Sequence, residues 1–282
     1  STLAAFAPFA LLGLASMPSI LSGNSGIDLS VAPLMGFVNA VMVTRLLGGP
    51  LGDPWFAIPI LLTIGLLVGA LNGVAVTVLR FPAVIATLCS YFVLSGATLL
   101  IVPTPVTAPA GNWSEALAGT IWGVPGALFS LAVPILFWLV LRRTTYIRNL
   151  LSVGDNEVAA FTSGVRVGLT RVLAYALGGL LAACAGIALT GLVRTADANI
   201  SQTYILVALA AVAIGGVKLT GGSGGILGPL FGAAAIYFLS VLLTTLLVPS
   251  TWINVAYGSA LLVALLVNSI GSSTTKKGAT RV

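Results

Sequence analysis

The stretch 56-FAIPILLTIGLLVGALNGVAVTVL-79 carries no charged side chain from end to end. Crossing the hydrocarbon core as a helix takes ~20 predominantly apolar residues. Only a helix satisfies every backbone N–H and C=O within one such segment, whereas a barrel strand shows about ten residues of alternating polarity. The run therefore reads as a spanning helix. The whole chain repeats the theme: 58% of its 282 residues are hydrophobic, 6% are charged and the mean hydropathy is +1.13. A soluble domain is only about half apolar. The fold class expected is all-α, a polytopic transmembrane helical bundle with no room for a separate soluble catalytic domain.

Further charge-free runs lie near 3–21, 30–47, 82–102, 124–141, 172–193, 202–217, 225–248 and 251–270, giving nine expected spans with the first. Turn-rich pieces separate them: 48-GGPLGDP-54, 103-PTPVTAPAGNWSE-115, 194-RTADANIS-201, 218-KLTGGSGG-225 and the charged stretch 142–171. One domain over 1–271 and a tail over 272–282 follow. If 142–171 is cytoplasmic, alternation of the spans places Arg80, Arg142, Arg143, Arg148, Arg166, Arg171, Lys218, Lys276, Lys277 and Arg281 on that side. Only Arg45 and Arg194 fall on the other, in accord with the positive-inside bias. Trp55, Trp113, Trp122 and Trp252 then sit at the external boundary, where indole rings favour the headgroup layer and contact membrane lipid. The first span would enter from outside, so a further helix ahead of Ser1 is expected.

Composition also excludes. The chain has no His, which removes His-ligated zinc, haem ligation by His and a Ser-His-Asp triad. Cys89 and Cys184 lie in apolar runs without a CxxC and read as small core hydrophobes. The net charge of +6 reflects topology, not a nucleic-acid-binding face. No phosphate-binding G-x-x-x-x-G-K-[ST] occurs, since 221-GGSGG-225 is not followed by the Lys and Ser/Thr of that motif.

Two polar segments stand out. In 22-SGNSGIDLSVAPLMG-36 the residues Asn24, Ser25, Asp28 and Ser30 cluster among glycines between two spans. Irregular backbone at membrane depth is tolerated where protein or a water-filled cavity satisfies it, and a carboxylate there costs ~2.5–3.5 kcal/mol on insertion scales. Asp28 or Ser30 capping the following helix and Asp28 shaping a path are both open readings. Asn39, Asn72, Ser90 and Ser95 are further polar residues within spans, each able to line a path or to bond a neighbouring helix. The second segment, 142-RRTTYIRNLLSVGDNEVAAFTSGVRVGLTR-171, contains a short helix whose ends are marked by Asp155 as cap, Glu157 in the first turn and Gly164 as left-handed terminator, running to about Ser163. Such a helix is too short to stand alone in water. Val158 and Phe161 beside small Ala159 and Ala160 offer a ridge for another protein, or the helix packs on its own domain.

The sequences 26-GIDLS-30, 72-NG-73, 82-PAVIATL-88, 154-GDNEVAAFTSGV-165 and 205-ILVALAAVAIGGVKLTGGSGGILGPLFGA-233, in this order, resemble the membrane permeases of ribose-type, simple-sugar ABC importers. The resemblance implies a ten-helix permease lacking its first helix here, in the bacterial inner membrane. It implies that 26–30 lies near the pathway centre. It also implies that the helix carrying Gly154, Asn156, Ala159, Ala160, Gly164 and Val165, with Asp155, Glu157, Phe161 and Ser163 between them, couples to cytoplasmic ATPase subunits. ATP and Mg would be bound on those subunits and no cofactor on this chain. A second permease, identical or a paralogue, and a periplasmic sugar-binding protein complete the implied partners. Nucleoside or branched-chain amino acid permeases share the wider superfamily. An ion-coupled secondary transporter would need more buried ionisable groups than Asp28. The segments 23-GNSGI-27 and 222-GSGGI-226, each followed by P-L-[MF]-G, read as shared turn composition rather than a repeat.

Overall fold

The computed structural model describes residues 2–279, with side chains described to residue 266. The apolar runs all form helix. In chain order these are α1 (Thr2–Leu21), α2 (Val31–Val41) prolonged by a π turn (Met42–Leu46), α3 (Pro54–Thr77), α4 (Ala83–Ile101), the short α5 (Glu115–Ala118) and α6 (Gly126–Arg142). Then follow α7 (Thr145–Asp155), α8 (Glu157–Thr162), α9 (Val167–Val193), α10 (Gln202–Ile214), α11 (Leu227–Thr245) and α12 (Ser250–Ala279). Four two-residue strands make two small antiparallel pairs, Val106–Thr107 with Thr195–Ala196 and Thr120–Ile121 with Val124–Pro125. The expected tail over 272–282 is helical to Ala279, and its side chains lie outside the described residues.

Of the nine expected spans, the structure shows five or six at full length. Among the described residues five helices are long and apolar enough to cross a bilayer: α1, α3, α4, α9 and α11. A sixth results if α6 and α7, bent by 79°, count as one. The stretches 31–46, 202–214 and 250–266 are shorter apolar helices. At ~1.5 Å per residue, the 13 residues of α10 reach only about 20 Å of the ~30 Å core. Glycine-rich breaks at 22–30 and 215–226 separate α1 from α2 and α10 from α11, at the turn-rich pieces of the sequence.

Helix α1 is buried nearly throughout and, with α9, forms the centre of the bundle. Helix α9 packs along α3 and against α1 and α2. The α3–α9 seam is close because Gly65, Gly69 and Gly73 repeat at four-residue spacing, a small-residue pattern that lets helix backbones approach. A Cβ at Gly65 would overlap the Gly179 carbonyl, and one at Gly69 the Tyr175 carbonyl. The outer faces of α3 and α4 carry exposed Leu67, Leu71, Phe92 and Leu100, as lipid-facing surfaces do. Cys89 is exposed on α4 and Cys184 half-buried, so Cys89 is not the core hydrophobe expected from its apolar run.

The connections gather into two ends. At one end Trp113 Nε1 donates to the Gly52 carbonyl at 2.7 Å, the strands at 106–107 and 195–196 pair, and Arg194 meets Glu115 at 3.5 Å. At the opposite end the segment 22–30, the α3–α4 turn, the α7–α8 junction and the 218–225 turn converge. Arg80, Arg166 and Arg171 line one groove there, whereas Arg194 belongs to the first end. Trp55, Trp122 and Trp252 are exposed, and Trp113 is half-buried on its hydrogen bond.

Candidate functional site

The site is built on the break between α1 and α2. Asp28 is only 2% exposed, and its Oδ1 accepts from Ser30 N at 2.8 Å and Ser30 Oγ at 2.6 Å. This closes a local turn at the start of α2, and no side chain caps the later amides of that helix. Ser30 Oγ accepts in turn from Asn72 Nδ2 at 2.8 Å, and Asn72 Oδ1 accepts from Ser90 Oγ. Four polar residues from three separate segments thus form one continuous chain, Asp28–Ser30–Asn72–Ser90, joining the break to α3 and α4. Thr87 of α4 adds to it, accepting from Leu29 N at 3.2 Å. In a low-dielectric interior a fully bonded polar chain orders the elements it joins.

Not every expected residue belongs to it. Asn39 is buried and donates to Thr190 Oγ1 at 2.9 Å and to the Thr195 carbonyl at 3.2 Å, so it fastens α2 to α9 and lies apart from the network. Ser95 is half-buried on α4, with no side-chain hydrogen bond among the described residues. Asn24 and Ser25 are exposed with φ of 53° and 52°, and they line the groove at the same end of the bundle.

Because an amide oxygen accepts as a carboxylate oxygen does, Asp28→Asn is expected to retain both Ser30 bonds and stay folded. Asp28→Ala removes both and leaves Ser30 unsatisfied, a loss of about 1–3 kcal/mol. Unfolding of the two variants in detergent checks this; equal stabilities would show that the Ser30 bonds contribute nothing.

The second part is the α7–α8 junction. Asp155 is the last residue of α7, so the cap falls one residue later than expected: Asn156 is extended, with φ −150°, and accepts from Ala159 N at 3.0 Å. Glu157 does occupy the first turn, Ser163 follows the last, and Gly164 closes the helix at φ +83°. Val158 and Phe161 stand 71% and 70% exposed. Ala159 is exposed too, but Ala160 is 4% exposed and packs inward with Val153, Val165 and Val167. The small residue at 160 thus belongs to this chain's own core.

Two features tie the junction to the α1–α2 break. Gly154 lies against Leu21 and against Gly222, and Gly221 against Gly23, so the two glycine-rich turns 22–30 and 218–225 meet at one point. Arg171, with a side chain 7% exposed, donates through Nη2 to Glu157 Oε2 at 3.0 Å and to the Ser22 carbonyl at 3.4 Å. Sequence reasoning took Arg171 only as a topology marker and passed over Thr87. The signal available was position: Thr87 sits within 82–88, and Arg171 opens a long charge-free run. The buried hydroxyl of Tyr175, one turn further along α9, has no hydrogen-bond partner among the described residues and lies within electrostatic reach of Asp28 and Arg171. Among the described residues no group of His, Cys, Asp or Glu is placed to hold a metal.

A family model described as branched-chain amino acid transport system / permease component matches residues 1–269. The chain belongs to this permease family. The ribose import permease protein RbsC of Haemophilus influenzae is 32% identical over 252 residues, covering 87% of this permease and 77% of the relative. That of Bacillus subtilis is 34% identical over 253 residues, covering 88% and 77%. The autoinducer 2 import system permease protein LsrC of Klebsiella pneumoniae is 35% identical over 221 residues, covering 73% of this permease and 60% of its own length. No solved structure matches the chain. The family resemblance drawn from the motifs thus agrees with the relatives of this permease across most of its length.

Proposed function

We propose that this permease is the membrane subunit of an ABC importer that moves a small sugar, ribose-like or another monosaccharide, from a periplasmic binding protein into the cytoplasm. ATP, with Mg, is hydrolysed on separate ATPase subunits, and a second permease, identical or a paralogue, completes the path. The relatives named for ribose import favour a sugar over the branched-chain amino acids of the family description. The shorter helices 31–46, 202–214 and 250–266 complete nine crossings, with the remaining depth filled by the irregular segments beside them. The basic end faces the cytoplasm of the bacterial inner membrane.

The observation that carries the reading is the joint between α8 and the polar break. A short helix exposing Val158 and Phe161 is held, through Gly154 and Arg171, against the segment that begins the Asp28–Ser30–Asn72–Ser90 network. Force applied to α8 by an ATPase therefore reaches Ser22 and Gly23 directly, with no flexible link between. Helix α8 is the coupling helix in this reading, and the network borders the sugar path.

Phe161→Ala tests it. An exposed aromatic anchor at the centre of a contact is worth about 2 kcal/mol, a roughly thirtyfold loss of affinity. The variant is expected to reach the membrane in normal amount, to recover little ATPase on affinity purification and to take up sugar poorly. Full ATPase recovery and full uptake with Phe161→Ala would overturn the proposed role of α8.

A further inference from the structure

The basic end of the bundle holds a groove of ≈1160 Å³, walled by the α3–α4 turn, residues 24–25, α8 and the start of α9. Arg80, Arg166 and Arg171 line it together with one acid, Glu157. That carboxylate is already bound to Arg171, whose Nε nevertheless remains buried without a hydrogen-bond partner among the described residues. Neither Arg80 nor Arg166 has an ion pair or a side-chain hydrogen bond among the described residues. Arg80 is moreover held at φ +58°, a left-handed conformation that a long side chain rarely adopts. Two guanidinium charges thus face one concavity with no charge among the described residues to balance them.

The surroundings of the groove restrict what would balance them. Val84 and Phe81 line its wall, and from there the surface continues over exposed Val78, Leu79 and Ile85 of α3, α4 and their turn. An occupant that uses both features has an anionic head and an apolar tail. Guanidinium forks match phosphate oxygens in pairs, and basic pockets between helices at the cytoplasmic face suit acidic lipid headgroups. We propose that this groove binds the phosphate headgroup of an anionic phospholipid, whose acyl chains run along the exposed apolar surface of α3 and α4. A free phosphate would use the arginines but not the apolar wall. Phe161 also lines the groove, so an ATPase docked on α8 borders it, but an acidic segment of that subunit would leave the exposed α3–α4 surface uncovered.

The test is lipid retention by the purified chain, delipidated in neutral detergent and titrated with phosphatidylglycerol, phosphatidylcholine or inorganic phosphate, bound lipid being counted by native mass spectrometry. Each guanidinium near a headgroup contributes about fivefold in affinity, so phosphatidylglycerol is expected to bind at least roughly tenfold more tightly than phosphatidylcholine. Arg80→Gln with Arg166→Gln should abolish that preference, and Arg166→Gln alone, read if the pair fails to accumulate, should weaken it about fivefold. Equal retention of the two lipids, or a preference that survives the substitutions, would overturn the proposal. Displacement of bound phosphatidylglycerol by equimolar inorganic phosphate would do so as well, by assigning the groove to small anions. So would an unchanged lipid preference accompanied by loss of ATPase recovery in the double variant, by assigning it to the protein partner. Because lipid counting requires neither transport nor an ATPase, failure here is separable from failure of the importer assignment.

Discussion

Gly154→Val is expected to stop the permease from accumulating in folded form. Even a single Cβ at this position would overlap the Leu21 carbonyl and Gly222 N and stand 3.0 Å from Gly222 Cα. All three are backbone atoms, so no rotamer change relieves the clash. Overpacking of a tight core costs ~1–3 kcal/mol and more where backbone must move. Here three chain segments would have to separate at once. Yield of monodisperse protein by size-exclusion chromatography in detergent is the measurement. Gly225→Ala is the control, because nothing lies within 4 Å of its added Cβ and its φ is not positive; it should behave as wild type. Normal yield for Gly154→Val would mean that the three-way contact does not hold the basic end together.

The Arg171–Glu157 pair gives the second large effect. Glu157→Ala leaves a guanidinium with a 7% exposed side chain, facing only the Ser22 carbonyl at 3.4 Å and already short of a partner at Nε. Breaking a buried pair costs ~3–5 kcal/mol. Because the Glu157 side chain is 51% exposed, solvent screening reduces the expectation to about 2 kcal/mol. Adding Arg171→Met removes the stranded charge while keeping an apolar side chain there, so the double variant should recover ~1 kcal/mol or more. Unfolding followed through the five tryptophans reads both. A double variant less stable than Glu157→Ala would show that Arg171 is held by packing, not by its ion pair.

Both predictions rest on tertiary contacts, Gly154 with Leu21 and Gly222 and Arg171 with Glu157 and Ser22, which sequence patterns do not reveal. The Gly65–Gly69–Gly73 spacing in α3 was there to be read as a helix-packing face, but its partner, α9, was not. The polar residues of 24–30 were singled out, and Asn72 and Ser90 noted separately. Only folding decided that Ser30, Asn72 and Ser90 share hydrogen bonds while Asn39 turns to Thr190. At Asp155 the local rule failed by one residue, because α7 runs on to that position and hands the cap to Asn156.

What the sequence determined alone is what hydration and backbone hydrogen bonding decide locally: helix over every apolar run, breaks at 22–30 and 218–225, a short helix ending at Gly164, and basic residues gathered at one end. These outcomes depend on each segment's own transfer free energy and turn chemistry, whatever its neighbours are. The tertiary structure decided which side chains meet. It turned Ala160 inward and Phe161 outward on the same short helix, buried Arg171 between Glu157 and Ser22, and left Arg80 and Arg166 facing a groove with no acid free to answer them. Packing selects among the faces of a helix only once the other helices are in place, and on a six-residue helix the hydrophobic pattern is too short to make that choice in advance.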